Sequence, residues 1–383
     1  MTPALPLAVT TVGSWPRSRE LLLAQRQRRA GRISDEDFSL VADEAVRSFL
    51  RLQEDLGVDV VTDGELRRDN FYSFVADKLA GVELKTLAEM LEIVDDKVTF
   101  ERILQTLDVP AYSISNPICY GKIARRKPLA AGDLAFTKRH TTRPIKVTLP
   151  GPYLLTRAMF VKEVTRQVYA TKEDLGQDVV RVLAEEIGEL AAAGVDFIQL
   201  DEPVLTELVF TQGQARTFMC AALAASNDPT EELEFAVSLI NGVACRAGAV
   251  RTGVHVCRGN WSQDESTLLR GGYHPLKRYL ERMNVKQLVL EYATDRAGDL
   301  MLFEGKELGL GVVNPRTPGI EPESEIRRAI ERALEIYPAD ILFVNPDCGF
   351  GTFSNRPVNS ADIAIDKMKA VVSATRAVRG AGP

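Results

Sequence analysis

Apolar residues along this chain fall into short runs, and the runs alternate with stretches of helical period. The first run, Leu7-Ala8-Val9-Thr10-Thr11-Val12, is rich in β-branched residues and ends in Gly13-Ser14-Trp15-Pro16. That composition predicts a strand running into a loop. Ser34-Asp35-Glu36-Asp37 carries a helix-start signal, and Phe38, Val41, Ala45, Phe49, Leu52 and Leu56 follow in steps of three and four. Gly57 closes this helix, and Val58 to Thr62 predicts a second strand ending in Asp63-Gly64-Glu65.

The unit then repeats. Strands are predicted at 145–149, 197–200, 254–257, 288–290, 308–313 and 341–344, with a helix around Leu175–Ala192 before the fourth. A last amphipathic helix runs from Ser360 to Val378. Eight short strands, mostly separated by helical stretches, predict an α/β fold built as a single (β/α)8 TIM barrel rather than an open sheet. The stretch 82–140 is longer than a βα unit needs. It predicts an inserted helix and hairpin, with Ile118-Cys119-Tyr120-Gly121-Lys122 as one arm. No internal repeat or Pro/Gly/Ser-rich linker divides the chain, so residues 1–383 read as one domain.

Composition narrows the class. The chain is 45% hydrophobic and 26% charged, with a net charge of -6, and this balance argues against nucleic acid or an anionic membrane as the main partner. No apolar run reaches the roughly 18 residues of a membrane span. Met1 to Pro6 lacks the basic and apolar regions of a signal peptide. Cysteines 119, 220, 245, 257 and 348 are odd in number and irregularly spaced. They do not form a disulfide framework, and a reducing cytoplasm is the expected compartment.

The chemistry-bearing residues collect at or just past the ends of the apolar runs: Ser14, Asp63, Glu65, Asp201, Glu202, His255, Cys257, Glu291, Asp347 and Cys348. In a barrel that is the C-terminal mouth, where active sites form. His255 and Cys257 lie two apart, so on a strand they share a face. With Glu291 and Cys348 they offer nitrogen, sulfur and oxygen donors that zinc accepts. The same residues also fit a bland reading, with two small buried thiols and a core histidine. Spacing alone does not choose between the two.

Asp201 and Glu202, together with Glu65, would suit glycoside chemistry, or would simply brace the loops of the mouth. Gly309-Leu310-Gly311 lies inside a strand with no third glycine opening a helix, so a dinucleotide fold is excluded. Cys220 and Cys245 read as structural, His140 and His274 as loop residues, and Lys122 to Lys127 as a solvated hairpin.

Taken in order, Thr11-Val12-Gly13-Ser14, Asp63-Gly64-Glu65, Gln199-Leu200-Asp201-Glu202-Pro203, His255-Val256-Cys257, Glu291 and Asn345-Pro346-Asp347-Cys348-Gly349 resemble the catalytic half of the cobalamin-independent methionine synthase family. The resemblance runs from about residue 8 to 375. It implies a Zn2+ site of His255, Cys257, Glu291 and Cys348. It also implies that Gly13 and Ser14 hold the carboxylate of homocysteine, and that Glu65 and Asp201 hold its ammonium group. The expected activity is therefore a methyltransferase of methionine biosynthesis, in which the metal turns a thiol into a thiolate that attacks a methyl group.

Two departures qualify what the resemblance implies. Folate-using synthases of this family carry a second barrel in front, and this sequence matches only the catalytic one. They also carry an Asp and a His after the seventh strand, where this chain reads Gly311-Val312-Val313-Asn314-Pro315-Arg316-Thr317-Pro318. Without that histidine the expected methyl donor shifts from methyl-tetrahydrofolate to a methyl-corrinoid protein. The alternative within the family is an epoxyalkane:coenzyme M transferase. Its acceptor has no ammonium group, so Glu65 and Asp201 favour homocysteine.

Overall fold

The computed structural model describes residues 5–98, 100–101, 115–210 and 228–380. Seven strands form one parallel sheet: β1 (Ala8–Val9), β4 (Lys146–Pro150), β5 (Phe197–Asp201), β6 (Arg251–Val256), β7 (Gln287–Leu290), β8 (Glu307–Gly311) and β9 (Leu342–Asn345). Their order is β1-β9-β8-β7-β6-β5-β4, each neighbour in parallel register. β2 (Leu79–Thr86) and β3 (Ser115–Arg125) form a separate antiparallel pair. This is the hairpin expected within 82–140, and the helix Leu87–Ile93 follows its first arm.

The predicted second strand has a different form. Residues 58–62 make single parallel bridges, Thr10 to Val60 on one side and Val61 to Ile145 on the other. Those bridges join the β1 edge of the curled sheet to the β4 edge, so the barrel closes through its least regular segment. Part of the ladder is replaced by a side chain, because Val9 donates its N–H to Asp59 Oδ2 at 2.8 Å. Gln53 then ties the same segment to the preceding helix, accepting from Thr62 N at 3.0 Å and donating to Thr62 O at 2.8 Å.

The helices start and stop where local chemistry directs. Asp35–Leu56 opens with a Ser34/Asp37 capping box and ends at Gly57, whose φ of 88° is left-handed. Lys172–Ala192 opens with a Thr171/Asp174 box, and the last helix spans Ala361–Gly380. The buried line of Asp35–Leu56 is Phe38, Ala42, Val46, Phe49, Leu50 and Gln53. The expected Val41, Ala45, Leu52 and Leu56 flank it, half-buried, because the barrel wall meets the helix about one residue around its face.

Apolar residues from both sides of the strands and from these helices form one extensive core. Inside the barrel the strands present polar residues as well, Lys146, Thr148 and Gln199 among them, all fully buried. No helix among the described residues is long and apolar enough to cross a membrane.

Candidate functional site

The mouth of the barrel holds a pocket lined by residues from several strand ends and loops. Val12, Ser14, Glu65, Asp201, His255, Cys257 and Cys348 line it, with Phe71, Tyr72, Trp261 and Phe353 as an aromatic wall. Of the two loop aromatics nearest the motifs, Tyr72 faces this pocket. Trp15 instead stacks on Phe49, with ring centroids 4.6 Å apart, and meets Phe350 edge-on.

His255 is the penultimate residue of β6 and Cys257 lies one residue past the strand, while Cys348 lies on the loop after β9. Their donor atoms lie within 4.8 Å of one another, and all three side chains are buried. Cys348 Sγ stands 3.5 Å from His255 Nε2. His255 Nδ1 meets Val289 O at 3.2 Å, which leaves Nε2 directed at the sulfurs. A backbone carbonyl on the other ring nitrogen is the usual support for a metal-ligating histidine.

The electrostatics of the trio are those of tightly packed donors. The hydrogen bond from Cys348 and the neighbouring His255 lower the Cys257 thiol to about 5 against the effect of burial. Cys348 moves the opposite way, well above its ordinary value. Burial lowers His255, but Cys257, Asp201 and Glu291 outweigh it and hold the imidazole near 9.

Glu291, one residue past β7, stands outside this trio. Its carboxylate meets Arg316 at 3.2 Å, Arg296 at 3.4 Å and Arg258 at 3.5 Å, and all four side chains are almost wholly buried. Burial raises the acid, yet Arg316, Arg296 and Arg258 hold it below its ordinary value. Arg316 also reaches Glu265 at 3.3 Å and Asp347 at 3.6 Å, and Asn314 donates to Glu265 at 2.6 Å. The place after β8 that the resemblance gives to an Asp and a His is thus filled by a polar network around Arg316.

Glu65, which also lines the pocket, sits at φ 54°, a left-handed backbone that non-glycine residues adopt at some cost. Asp63 Oδ1 accepts its N–H at 2.9 Å, and Thr148 donates to its Oε1 at 2.8 Å. Oε2 is buried without a partner, which leaves an oxygen acceptor available to a ligand cation. Asp201, the last residue of β5, accepts from Gln199 Nε2 at 2.8 Å. Burial is the main reason its carboxyl rises to about 7, with His255 lowering it and Glu65 raising it.

Glu202, beside Asp201, points elsewhere. It accepts the N–H groups of Tyr153 and Leu154 at 2.7 and 2.9 Å, at the start of the helix Pro152–Met159. Glu202 therefore braces a helix end and does not pair with Asp201 as an acid/base couple. Ser14 lines the pocket, and Phe350 N donates to its carbonyl at 2.9 Å. Cys245 is exposed, its thiol against Gly242 O at 3.2 Å, and Cys220 lies outside the described residues. His140 is exposed on a turn, as expected, whereas His274, also exposed, opens a short 3-10 helix, His274–Leu276, in place of the expected loop. Sequence motifs assigned no role of their own to Lys146, Thr148, Gln199 or Arg316, because each gains its partner only when distant segments converge.

Residues 7–375 match the model of a family described as cobalamin-independent synthase, catalytic domain. The chain belongs to that family. A methionine synthase of Pyrococcus abyssi is 30% identical over 381 residues, which is 98% of this chain and 94% of that protein. A 5-methyltetrahydropteroyltriglutamate–homocysteine methyltransferase of Thermotoga maritima is 24% identical over 91% of this chain but only 42% of its own length. A B12-independent methionine synthase from Shewanella sp. W3-18-1, solved with selenomethionine, shares the fold at a TM-score of 0.73 and 23% identity, covering 98% and 99% of the two chains. The expected enzyme class, a methyltransferase, is that of these relatives. The methyl-corrinoid donor is a correction: the family is cobalamin-independent by description, and a corrinoid protein partner does not fit it.

Proposed function

We propose that this chain is a zinc-dependent methionine synthase that transfers a methyl group to the sulfur of homocysteine. The observation that carries the reading is the presence of two unlike groups in one pocket. His255, Cys257 and Cys348 form a metal-sized trio, and the acidic side chains of Glu65 and Asp201 line the same pocket. Homocysteine has a thiol at one end and an ammonium and carboxylate at the other, which is the complementary pattern.

The trio suits zinc. One imidazole nitrogen and two sulfurs within 4.8 Å make a soft donor set, and three protein ligands leave a position open for substrate. When bound, zinc lowers the pKa of a coordinated thiol so that it reacts as thiolate at neutral pH. Glu291 joins this set only by leaving its three arginines.

The protein's own residues then position the amino acid. The unpartnered Glu65 Oε2 and the Asp201 carboxylate receive the ammonium group through charge-assisted hydrogen bonds. Gly13 and Ser14 hold the carboxylate. Phe71, Tyr72, Trp261 and Phe353 exclude water from the sulfur. This fixes the nucleophile in the orientation a displacement needs. The donor we propose is a 5-methyltetrahydropteroyl glutamate, by kinship with the Thermotoga maritima relative. We read residues 1–383 as one catalytic domain, supported by the continuous core, and its place as the cytoplasm.

The test is methionine formation by zinc-loaded protein with methyl-tetrahydrofolate mono- and triglutamates, methylcobalamin serving as a control donor. Coenzyme M replaces homocysteine in a parallel arm. Methionine made from a folate donor and lost on chelation supports the reading. No methionine from either folate, or a preference for coenzyme M, overturns it.

A further inference from the structure

Below the pocket, inside the barrel, lies a buried lysine that the proposed chemistry does not use. Lys146 opens β4, and its side chain is fully buried among the inward-facing residues. Its ammonium donates to Thr11 O and, at 3.0 Å, to Gln199 Oε1. The Gln199 amide nitrogen in turn donates to Val12 O at 3.0 Å and to Asp201 Oδ1 at 2.8 Å.

The direction of this chain is over-determined. An ammonium can only donate, and a backbone carbonyl and a carboxylate can only accept. The Gln199 amide therefore has one allowed orientation, oxygen toward Lys146 and nitrogen toward Val12 and Asp201. Turning it over would press the amide NH2 against the ammonium and the amide oxygen against the carboxylate. Because the site is buried, each mismatch would cost more than it does in water.

We propose that Lys146 is a positioning residue for the amino-group end of the pocket: by occupying the Gln199 amide oxygen it anchors the amide in the orientation that Val12 and Asp201 also require, and so steadies the side chain that takes the substrate ammonium. The inference rests on the reading of Asp201 as an ammonium partner. Lys146 touches no substrate atom. Burial lowers Lys146 to about 7, and the two acidic side chains that share the pocket, Asp201 and Glu65, pull the other way.

Lys146→Met leaves a side chain of similar length without a charge. The buried Gln199 amide oxygen then loses its donor, and the amide is left to hold Asp201 through its nitrogen alone. The effect should be selective. Homocysteine needs the ammonium end of the pocket, whereas 4-mercaptobutanoate, the same thiol acid without the amino group, does not.

Calorimetric titration of zinc-loaded protein with each thiol reads the difference. Hydrogen bonds to charged groups are worth about 1.5–3 kcal/mol, so homocysteine should bind about tenfold or more weakly in Lys146→Met. Binding of 4-mercaptobutanoate should change by no more than about twofold, and KM for homocysteine should rise more than kcat falls. Gln199→Met, which keeps the volume and leaves the lysine, should give the same selective loss and decides the question if Lys146→Met does not fold. Equal weakening of both thiols, or no change in the folded variants, overturns the role of Lys146. A wild type that binds both thiols equally sinks the reading of Asp201 instead, and the inference with it.

Discussion

Gly13 and Glu65 approach so closely that a Cβ on the glycine would stand 2.4 Å from Glu65 Oε1. The same atom would meet Thr148 Cγ2 at 2.9 Å, and Thr148 is the side chain that donates to Glu65 Oε1. A glycine after the first strand is thus the condition for a carboxylate from the closing segment to enter the pocket. Gly13→Ala should push Glu65 aside and raise KM for homocysteine about tenfold or more. Overpacking of this kind costs about 1–3 kcal/mol, so the variant should still fold. Steady-state kinetics beside a melting curve check both halves.

The metal trio predicts a defined stoichiometry. Purified protein should carry about one zinc per chain, and Cys348→Ala or Cys257→Ala should lose it on dialysis, since each removes one of three clustered donors. X-ray absorption should gain sulfur around the metal when homocysteine is added. Full metal retention in both variants would refute the assignment.

Glu291 offers a stability test. Arg316 joins it to Glu265 and Asp347 at the centre of the mouth. Removing one member of a buried ionic network typically costs about 3–5 kcal/mol, because the remaining charges stay buried. Arg316→Met should therefore lower the unfolding free energy by that order, read as a lower urea midpoint at an unchanged slope. A loss near zero would mean that Arg258 and Arg296 suffice to hold the carboxylate.

Glu202 predicts a pH dependence of stability. Burial is the largest effect on it and lifts its carboxyl from the ordinary 4.5 to about 8, against the two helix N–H donors. The folded state binds this proton more tightly than the unfolded state. Its contribution is therefore complete below about 4.5 and declines as pH rises through 8. Glu202→Gln keeps the carbonyl acceptor but cannot ionise, so its melting temperature should fall less than that of the wild type between pH 5 and 8. Parallel curves would show that Glu202 does not carry the slope.

Much of this protein was legible in one dimension. The alternation of short apolar runs with helical stretches, capped at Ser34 and Thr171 and closed at Gly57, required only local propensity and period. His255, Cys257 and Cys348 were visible because each sits at or beyond a strand end, and in a barrel every strand end faces the same mouth. The limit appears where an interaction depends on distance rather than spacing. Residues 58–62 look like an ordinary strand, yet Asp59 and Gln53 take over part of the ladder, a substitution with no local signal. Glu291 carried the right chemistry for a metal, but its carboxylate rests on arginines from three loops. Lys146 and Gln199, 53 residues apart, become one hydrogen-bonded unit only because β4 and β5 lie side by side. Local sequence determined which elements form and which donors reach the mouth. The closing of the barrel decided which charges meet, because only burial makes each of them depend on its neighbour.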